Sequence, residues 1–96
     1  MPSYRNILSI GALAPGGAPL DVERAARDAV EATTILEAFQ IDVVRGEPRV
    51  TVRFTGADDR EARAVHDRTT AAVRQVASTP RAVLAKVVSG RSVPLA

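Results

Sequence analysis

Apolar and polar residues alternate along two neighbouring segments in the middle of the chain. In the second segment Val50, Val52 and Phe54 occupy every other position, with Thr and Arg residues between them. Because side chains alternate across a strand, this period of two predicts a strand with one apolar face. The first segment continues the alternation, apart from Glu37. The pattern therefore predicts a β-hairpin with a turn at residues 45–48 between strands at Ile35–Val44 and Arg49–Thr55.

The register of this hairpin is restricted to a few alternatives. One register sets Val43 opposite Val50, and the next sets Asp42 opposite Arg49; the sequence leaves both open. A slip by a single residue is excluded, since it would turn every apolar side chain of one strand to the other face. The residues of the first strand that are predicted to share the apolar face are Ile35, Phe39, Ile41 and Val43.

The rest of the chain predicts two helices and two more strands. Apolar residues at three- and four-residue spacing indicate amphipathic helices. Asp21 has the position of an N-cap for the first helix, and Asp58, with Glu61 three residues later, resembles a capping box for the second. The predicted elements are a strand at Tyr4–Ala12, a helix at Val22–Thr33, a helix from Asp58 to Ala77 and a strand at Arg81–Val88.

The element order strand, helix, strand, strand, helix, strand resembles the ferredoxin-like architecture. That resemblance implies an α+β sandwich, in which two helices cover one face of a four-stranded antiparallel sheet. We expect residues 1–90 to form this single domain, with residues 91–96 as either a loose tail or a short extra strand. The face away from the helices is called the open sheet face below.

Composition narrows the function only loosely. The chain has 96 residues and no Cys, which removes disulfides, thiolate metal sites and cysteine nucleophiles. Thirteen basic residues against eleven acidic ones make a mixed surface, without the strong basic excess of a dedicated DNA-binding domain. The amino terminus lacks the features of a secretion signal, and no apolar run is long enough to span a membrane. A cytoplasmic location without membrane contact is expected.

The open sheet face is the main candidate for a ligand or partner site. Apolar residues on both faces of the first and last strands mean that this face combines aliphatic side chains with arginines, a mixture that interfaces favour. A second, weaker candidate is the Gly/Pro-rich loop before the first helix, which contains Gly16 and Gly17. The residues predicted for the open sheet face are Gln40, Asp42, Arg49, Thr51 and Arg53.

Chemistry-bearing motifs are weak throughout the sequence. His66 is the single histidine. Because a metal site needs three or four convergent ligands, we interpret His66 as a boundary residue of the second helix and not as a metal ligand. The loop before the first helix has neither of the spacings of a phosphate-binding loop. No catalytic residue, metal or cofactor is therefore predicted.

The function predicted from these features is a small module for binding, scaffolding or regulation, without chemistry of its own, that self-associates as a homodimer. Its interface is expected on the open sheet face or on an edge strand, and a protein or a small anionic ligand could be a further partner. One alternative is a cofactor-free enzyme of the dimeric α/β-barrel type, or a small-ligand-binding domain similar to ACT domains. The other is weak nucleic-acid binding by an arginine-bearing sheet face.

Overall fold

The computed structural model describes residues 1–95, which contain two helices and five strands. The helices are α1 (Pro19–Glu31) and α2 (Asp59–Arg74). The strands are β1 (Ser3–Ser9), β2 (Leu36–Val44), β3 (Glu47–Thr55), β4 (Ala82–Val88) and β5 (Arg91–Pro94). Within residues 1–95, no helix has both the length and the apolar character needed to cross a membrane.

All strands join one antiparallel sheet in the order β2-β3-β1-β4-β5. The first four strands have the expected ferredoxin-like arrangement, but the predicted count of four is wrong, because residues 91–94 add a fifth strand beside β4. Ser89 and Gly90 both have positive φ, 50° and 78°, and fold the chain back in a two-residue turn. All four residues of β5 are exposed, so no apolar pattern reveals the strand in the sequence.

One face of the sheet forms the core with the two helices. The predicted alternation of β3 is confirmed, since Val50, Val52 and Phe54 are buried while the residues between them are half-buried. Tyr4 of β1 stacks on Phe54, with ring centroids 5.8 Å apart. The helices contribute small side chains to this core: Val22, Ala26 and Val30 from α1, and Ala62, Val65 and Val73 from α2.

The hairpin turn is shorter than predicted and contains only Arg45 and Gly46. Their φ values of 54° and 80° are those of a type I′ turn, which matches the right-handed twist of paired strands. Pro48 was expected in the turn but lies inside β3, opposite Val43. The Pro48 carbonyl accepts a hydrogen bond from the Ile10 N–H. The Pro48 nitrogen, which carries no hydrogen, therefore faces β1, and the hydrogen bonds between β2 and β3 are not interrupted.

A β-bulge decides how the first half of β2 is oriented. The register sets Asp42 opposite Arg49, which is one of the two predicted alternatives, but it shifts between Leu36 and Ala38. As a result Leu36 packs against the core, and Ile35, predicted to share the apolar face, is 67% exposed. The bulge also accounts for Glu37, the exception in the sequence pattern, which bonds to side chains on the open sheet face.

The helix starts follow local capping chemistry. Asp58 is the N-cap of α2, as predicted, and its carboxylate accepts a hydrogen bond of 2.8 Å from the Glu61 N–H. Asp21, in contrast, is not the N-cap of α1. The helix starts earlier, at Pro19, because proline suits the first helical turn, and Asp21 accepts a bond of 2.8 Å from the Ala18 N–H.

A polar contact fastens the start of β1 to the start of α2. The Tyr4 hydroxyl donates to Asp59 Oδ1 at 2.7 Å, and Lys86 Nζ lies 3.4 Å from the same oxygen. Burial, followed by the bond to Asp59, raises the pKa of Tyr4 to about 12. The Tyr4 hydroxyl in turn holds the pKa of the Asp59 carboxyl below its usual value of 3.8. Asp59 therefore stabilises the fold in its charged form.

Replacing Tyr4 by Phe tests this contact, because the ring stays and only the hydroxyl is lost. We expect Tyr4→Phe to lower the melting temperature near pH 7 by roughly 4–8 °C, the effect of about one net hydrogen bond in a domain of this size. Because the pKa of Asp59 is lowered in the folded state, its contribution to the free energy of unfolding is present above pH 3.8. That contribution is lost as the pH falls through the lowered pKa. Thermal unfolding of both proteins should therefore show a difference that narrows in strong acid. A constant difference at all pH values would contradict the role of Asp59.

Substitution of Gly46 tests the turn. Gly46→Val should cost about 1–2 kcal/mol in unfolding free energy, because a β-branched residue tolerates positive φ poorly. Gly46→Asn should cost much less, since Asn enters this region several-fold more often. Urea unfolding of the two variants measures the difference. Equal losses would show that the turn does not depend on positive φ at this position.

Candidate functional site

Five of the predicted site residues meet on the open sheet face. Arg49, Thr51 and Arg53 project from β3, and their neighbours on β2 include Gln40 opposite Thr51 and Asp42 opposite Arg49. Gly16 and Gly17 do not join this group, since they lie in the loop before α1. Gly16 has a φ of 75°, and the Gly17 N–H donates to Ala14 at 2.8 Å, so the pair closes a local turn.

The charges of β2 and β3 on the open sheet face are paired with one another. Both Arg49 Nη2 and Nε lie near the Asp42 carboxylate, at 3.2 and 3.4 Å. Arg53 Nε lies 3.3 Å from Glu37 Oε1, and Arg5 donates to the Ser92 hydroxyl at 2.8 Å. The β2–β3 half of this face is thus polar but nearly neutral, which weakens its attraction for a polyanion.

The other half of the open sheet face is aliphatic. Val83 and Val87 of β4 lie on this half, with Val83 opposite Ile7 of β1. Near the hairpin turn this surface sinks into a recess of about 400 Å³. The side chains around the recess include Ser9, Arg45, Arg49, Arg81, Ile7 and Val83. The Glu47 carboxylate also lines the recess, so guanidinium groups and a carboxylate surround its apolar floor.

The outer edge of β2 is an exposed apolar strand edge that the sequence did not reveal. β2 is the first strand of the sheet, so the edge away from β3 has no strand partner among residues 1–95. Ile41 and Val43 lie on the helix side, as predicted, but are 51% and 69% exposed. The physical reason is length: nine strand residues extend about 30 Å, whereas the thirteen residues of α1 extend only about 20 Å.

His66 forms a polar pair with a residue that sequence reasoning overlooked. Its Nδ1 lies 2.9 Å from Oδ1 of Asn6, and Asn6 is 0% exposed in the central strand β1. Burial lowers the pKa of His66 below its usual value of 6.5, so the ring is neutral at pH 7. The signal was present in the sequence, because Asn6 takes a core position of the alternation between Tyr4 and Leu8.

A metal centre has no basis in the described part of the chain. No group of three or more His, Asp or Glu residues within residues 1–95 converges in a way that could hold a metal ion. His66, with Asn6 as its hydrogen-bond partner, stands without a second imidazole or a convergent set of carboxylates.

Comparisons with known proteins establish the fold and no more. No protein-family model matches the chain, and no curated protein matches it significantly. Among solved structures, a chain described as "Putative Chlorite dismutase" is similar, with a TM-score of 0.54 and 17% sequence identity. The match covers 90% of this chain but 42% of that one, so the chain spans less than half the length of its structural neighbour. The likeness supports an α+β fold of this type.

Proposed function

We propose that the chain is a binding module that forms a homodimer by pairing the β2 edges of two copies. The observation that carries this proposal is the exposed edge at residues 38–44, called the β2 edge, with Ile41 and Val43 uncovered. A long apolar edge strand with unpaired backbone groups is a template for pairing with another strand. The dismutase activity named for the structural neighbour is not part of the proposal, since 17% identity concerns the fold alone.

The hairpin turn determines which backbone groups are available on the β2 edge. Residues that flank a two-residue turn form a hydrogen-bonded pair, and here these are Val44 and Glu47. Hydrogen-bonded and non-hydrogen-bonded positions alternate along an antiparallel strand. The N–H and C=O groups of Val43, Ile41 and Phe39 therefore point away from β3, along the free edge. The side chains of these three residues are also apolar.

The most complementary symmetric register has its two-fold axis at Ile41. Ile41 then lies opposite Ile41 of the second copy, Phe39 opposite Val43, and Gln40 opposite Asp42, so that apolar side chains meet apolar ones. An axis at Asp42 would oppose two carboxylates, which is unfavourable. An axis at Gln40 would oppose Val43 to Glu37, inside the bulge. The bulge thus limits pairing to the flat part of the strand, as bulges commonly do at sheet edges.

A second copy is a better occupant of this surface than an unrelated strand. Antiparallel pairing of two identical edges is isologous, so a single set of residues supplies both sides of the contact. The result is one sheet of ten strands, five from each copy, with both open sheet faces on the same side. Nucleic-acid binding by that face has less support, because Asp42 and Glu37 neutralise Arg49 and Arg53.

A single cysteine at the axis tests the dimer directly, because the natural chain has no Cys. In the proposed register the two Cα atoms of residue 41 are about 5.5 Å apart, inside the range of about 4.4–6.8 Å that disulfides accept. We expect Ile41→Cys to form an intermolecular disulfide under mild oxidation, measured on a non-reducing gel. Val93→Cys, at a similarly exposed position of β5, is the matched control and should remain mostly monomeric on the same gel.

Light scattering with size-exclusion chromatography gives the independent readout. The natural protein should elute as a dimer at micromolar concentration, and Ile41→Glu should elute as a monomer, because two carboxylates would meet at the axis. Val93→Glu and Val87→Glu should remain dimeric. A monomeric natural protein would refute the dimer, and dissociation by Val87→Glu but not Ile41→Glu would move the interface to the open sheet face.

A further inference from the structure

A polar groove lies between α2 and β4, on the opposite half of the sheet from the β2 edge. It has a volume of about 670 Å³, which is within the usual range for small-molecule sites. A smaller depression of about 320 Å³ continues it and shares His66 and Asp67. Because β3 and β1 separate β2 from β4, this groove is independent of the proposed dimer contact. The side chains that give the groove its chemistry are His66, Asp67, Thr70, Arg74 and Arg81.

The Asn6–His66 pair fixes the hydrogen-bonding character of the groove wall. With the Asn6 amide oriented so that its oxygen faces His66, that oxygen accepts, and the His66 Nδ1 that lies 2.9 Å away carries the proton. The neutral ring then has its lone pair on Nε2, which has no hydrogen-bond partner within residues 1–95. Asn6 Nδ2 is buried without a partner, an arrangement that costs on the order of 1–3 kcal/mol. Packing alone does not require a polar side chain at position 6, since its cross-strand neighbours are Val52 and Leu84.

Arg74 supplies an oriented positive charge at the same groove. Its Nη2 donates to the Thr79 carbonyl at 3.0 Å, which holds the guanidinium in place. The guanidinium has five N–H donors, so most of them stay available for a ligand. Arg81 adds a second cation, tied to Glu47 only through a 4.0 Å contact between exposed groups. Asp67 is the opposing charge, which leaves these five side chains with a net positive charge.

Thr70 adds a hydroxyl group that the fold does not use. It is 6% exposed, and its Oγ1 has no hydrogen-bond partner, in contrast to Thr69, which donates to the Val65 carbonyl at 2.7 Å. Thr70 lies one turn after His66 on α2 and one turn before Arg74, so the three share one helix face. The Nε2 acceptor of His66, the Thr70 hydroxyl and the Arg74 guanidinium thus follow one another along the groove.

From this arrangement we propose that the α2–β4 groove binds a small hydroxycarboxylate. Its carboxylate pairs with Arg74, and its hydroxyl group donates to Nε2 of His66. A carboxylate fits the planar fork of arginine in bidentate fashion. A hydroxyl donor is specified because the neutral imidazole offers a lone pair, and a ligand without a donor would leave that site unmatched. The β2 edge takes no part in this site, and the groove meets the open sheet face only at Arg81 and Val83.

Malate and succinate are matched probes, since both are four-carbon dicarboxylates and only malate has a hydroxyl group. Each is titrated into the natural protein while the His66 ring signals are followed by NMR, with inorganic phosphate as a third titrant. We expect saturable shifts with malate and binding about tenfold weaker with succinate, the effect of one hydrogen bond to the imidazole. Equal binding of malate and succinate, equal binding of phosphate, or no saturable shift at millimolar concentration would overturn the proposal.

Variants separate this site from general attraction of anions. Arg74→Gln should weaken malate binding about tenfold or more, the order of a charge-assisted hydrogen bond, whereas Arg24→Gln on the exposed side of α1 should leave it unchanged. Asp67→Asn should strengthen binding, because an anion no longer faces a carboxylate; this gain cannot arise from misfolding. Similar losses in Arg74→Gln and Arg24→Gln would refute a localised site.

The proposed hydrogen bond to His66 is tested with a variant that leaves neither member of the Asn6–His66 pair without its partner. The double change Asn6→Leu with His66→Phe replaces both partners by apolar side chains, a change that is often nearly neutral for stability. Its folding is checked by thermal unfolding, and binding is followed through the backbone amide signals of α2. We expect malate to bind this variant no better than succinate. A retained preference for malate would show that His66 does not receive the hydroxyl group.

Discussion

The helical layer is shorter than the sheet that it covers, and this mismatch determines which surfaces remain for binding. Strands of about 30 Å lie under a first helix of about 20 Å, so the end of the hairpin projects beyond the core. Ile41 and Val43 lie on the correct face for burial but have no helix above them. Apolar side chains at this end are stabilised only if another molecule covers them, which is the physical basis of the proposed dimer.

A second constraint concerns a polar residue buried in the core. Asn6 lies between Val52 and Leu84 in the sheet, yet its amide is buried with a single partner, His66. Apolar residues at both positions 6 and 66 would remove this polar cost, so the pair indicates a role beyond stability. What the pair does in physical terms is to set the proton of His66 on Nδ1 and leave Nε2 as an acceptor. The groove beside α2 is the surface on which that acceptor can act.

Local rules predicted the features that depend on near neighbours along the chain. The alternation of Val50, Val52 and Phe54 and the capping role of Asp58 follow from backbone periodicity and from a carboxylate near free N–H groups. The orientation of Ile35 was predicted wrongly, because a bulge with no such signature reverses it. The sequence allowed a tail or a short extra strand at residues 91–96, and β5 forms because Ser89 and Gly90 turn the chain, not because its residues are apolar.

The candidate sites show the same division between local pattern and tertiary arrangement. The arginines of β3 were correctly assigned to the open sheet face, because strand parity fixes the side to which they point. Their neutralisation could not be predicted, since it depends on which register brings Asp42 to Arg49 and on the bulge that brings Glu37 to Arg53.

The two proposed surfaces lie on either side of the central strands β3 and β1, and this separation has a structural consequence. β3 and β1 form the centre of the sheet, where every residue of β1 from Tyr4 to Leu8 pairs with strands on both sides. Such a doubly paired centre is the most resistant part of a sheet to local opening. The proposed ligand beside α2 and β4 and the proposed second copy at β2 would therefore contact opposite sides of this doubly paired centre, and neither contact requires the centre to change.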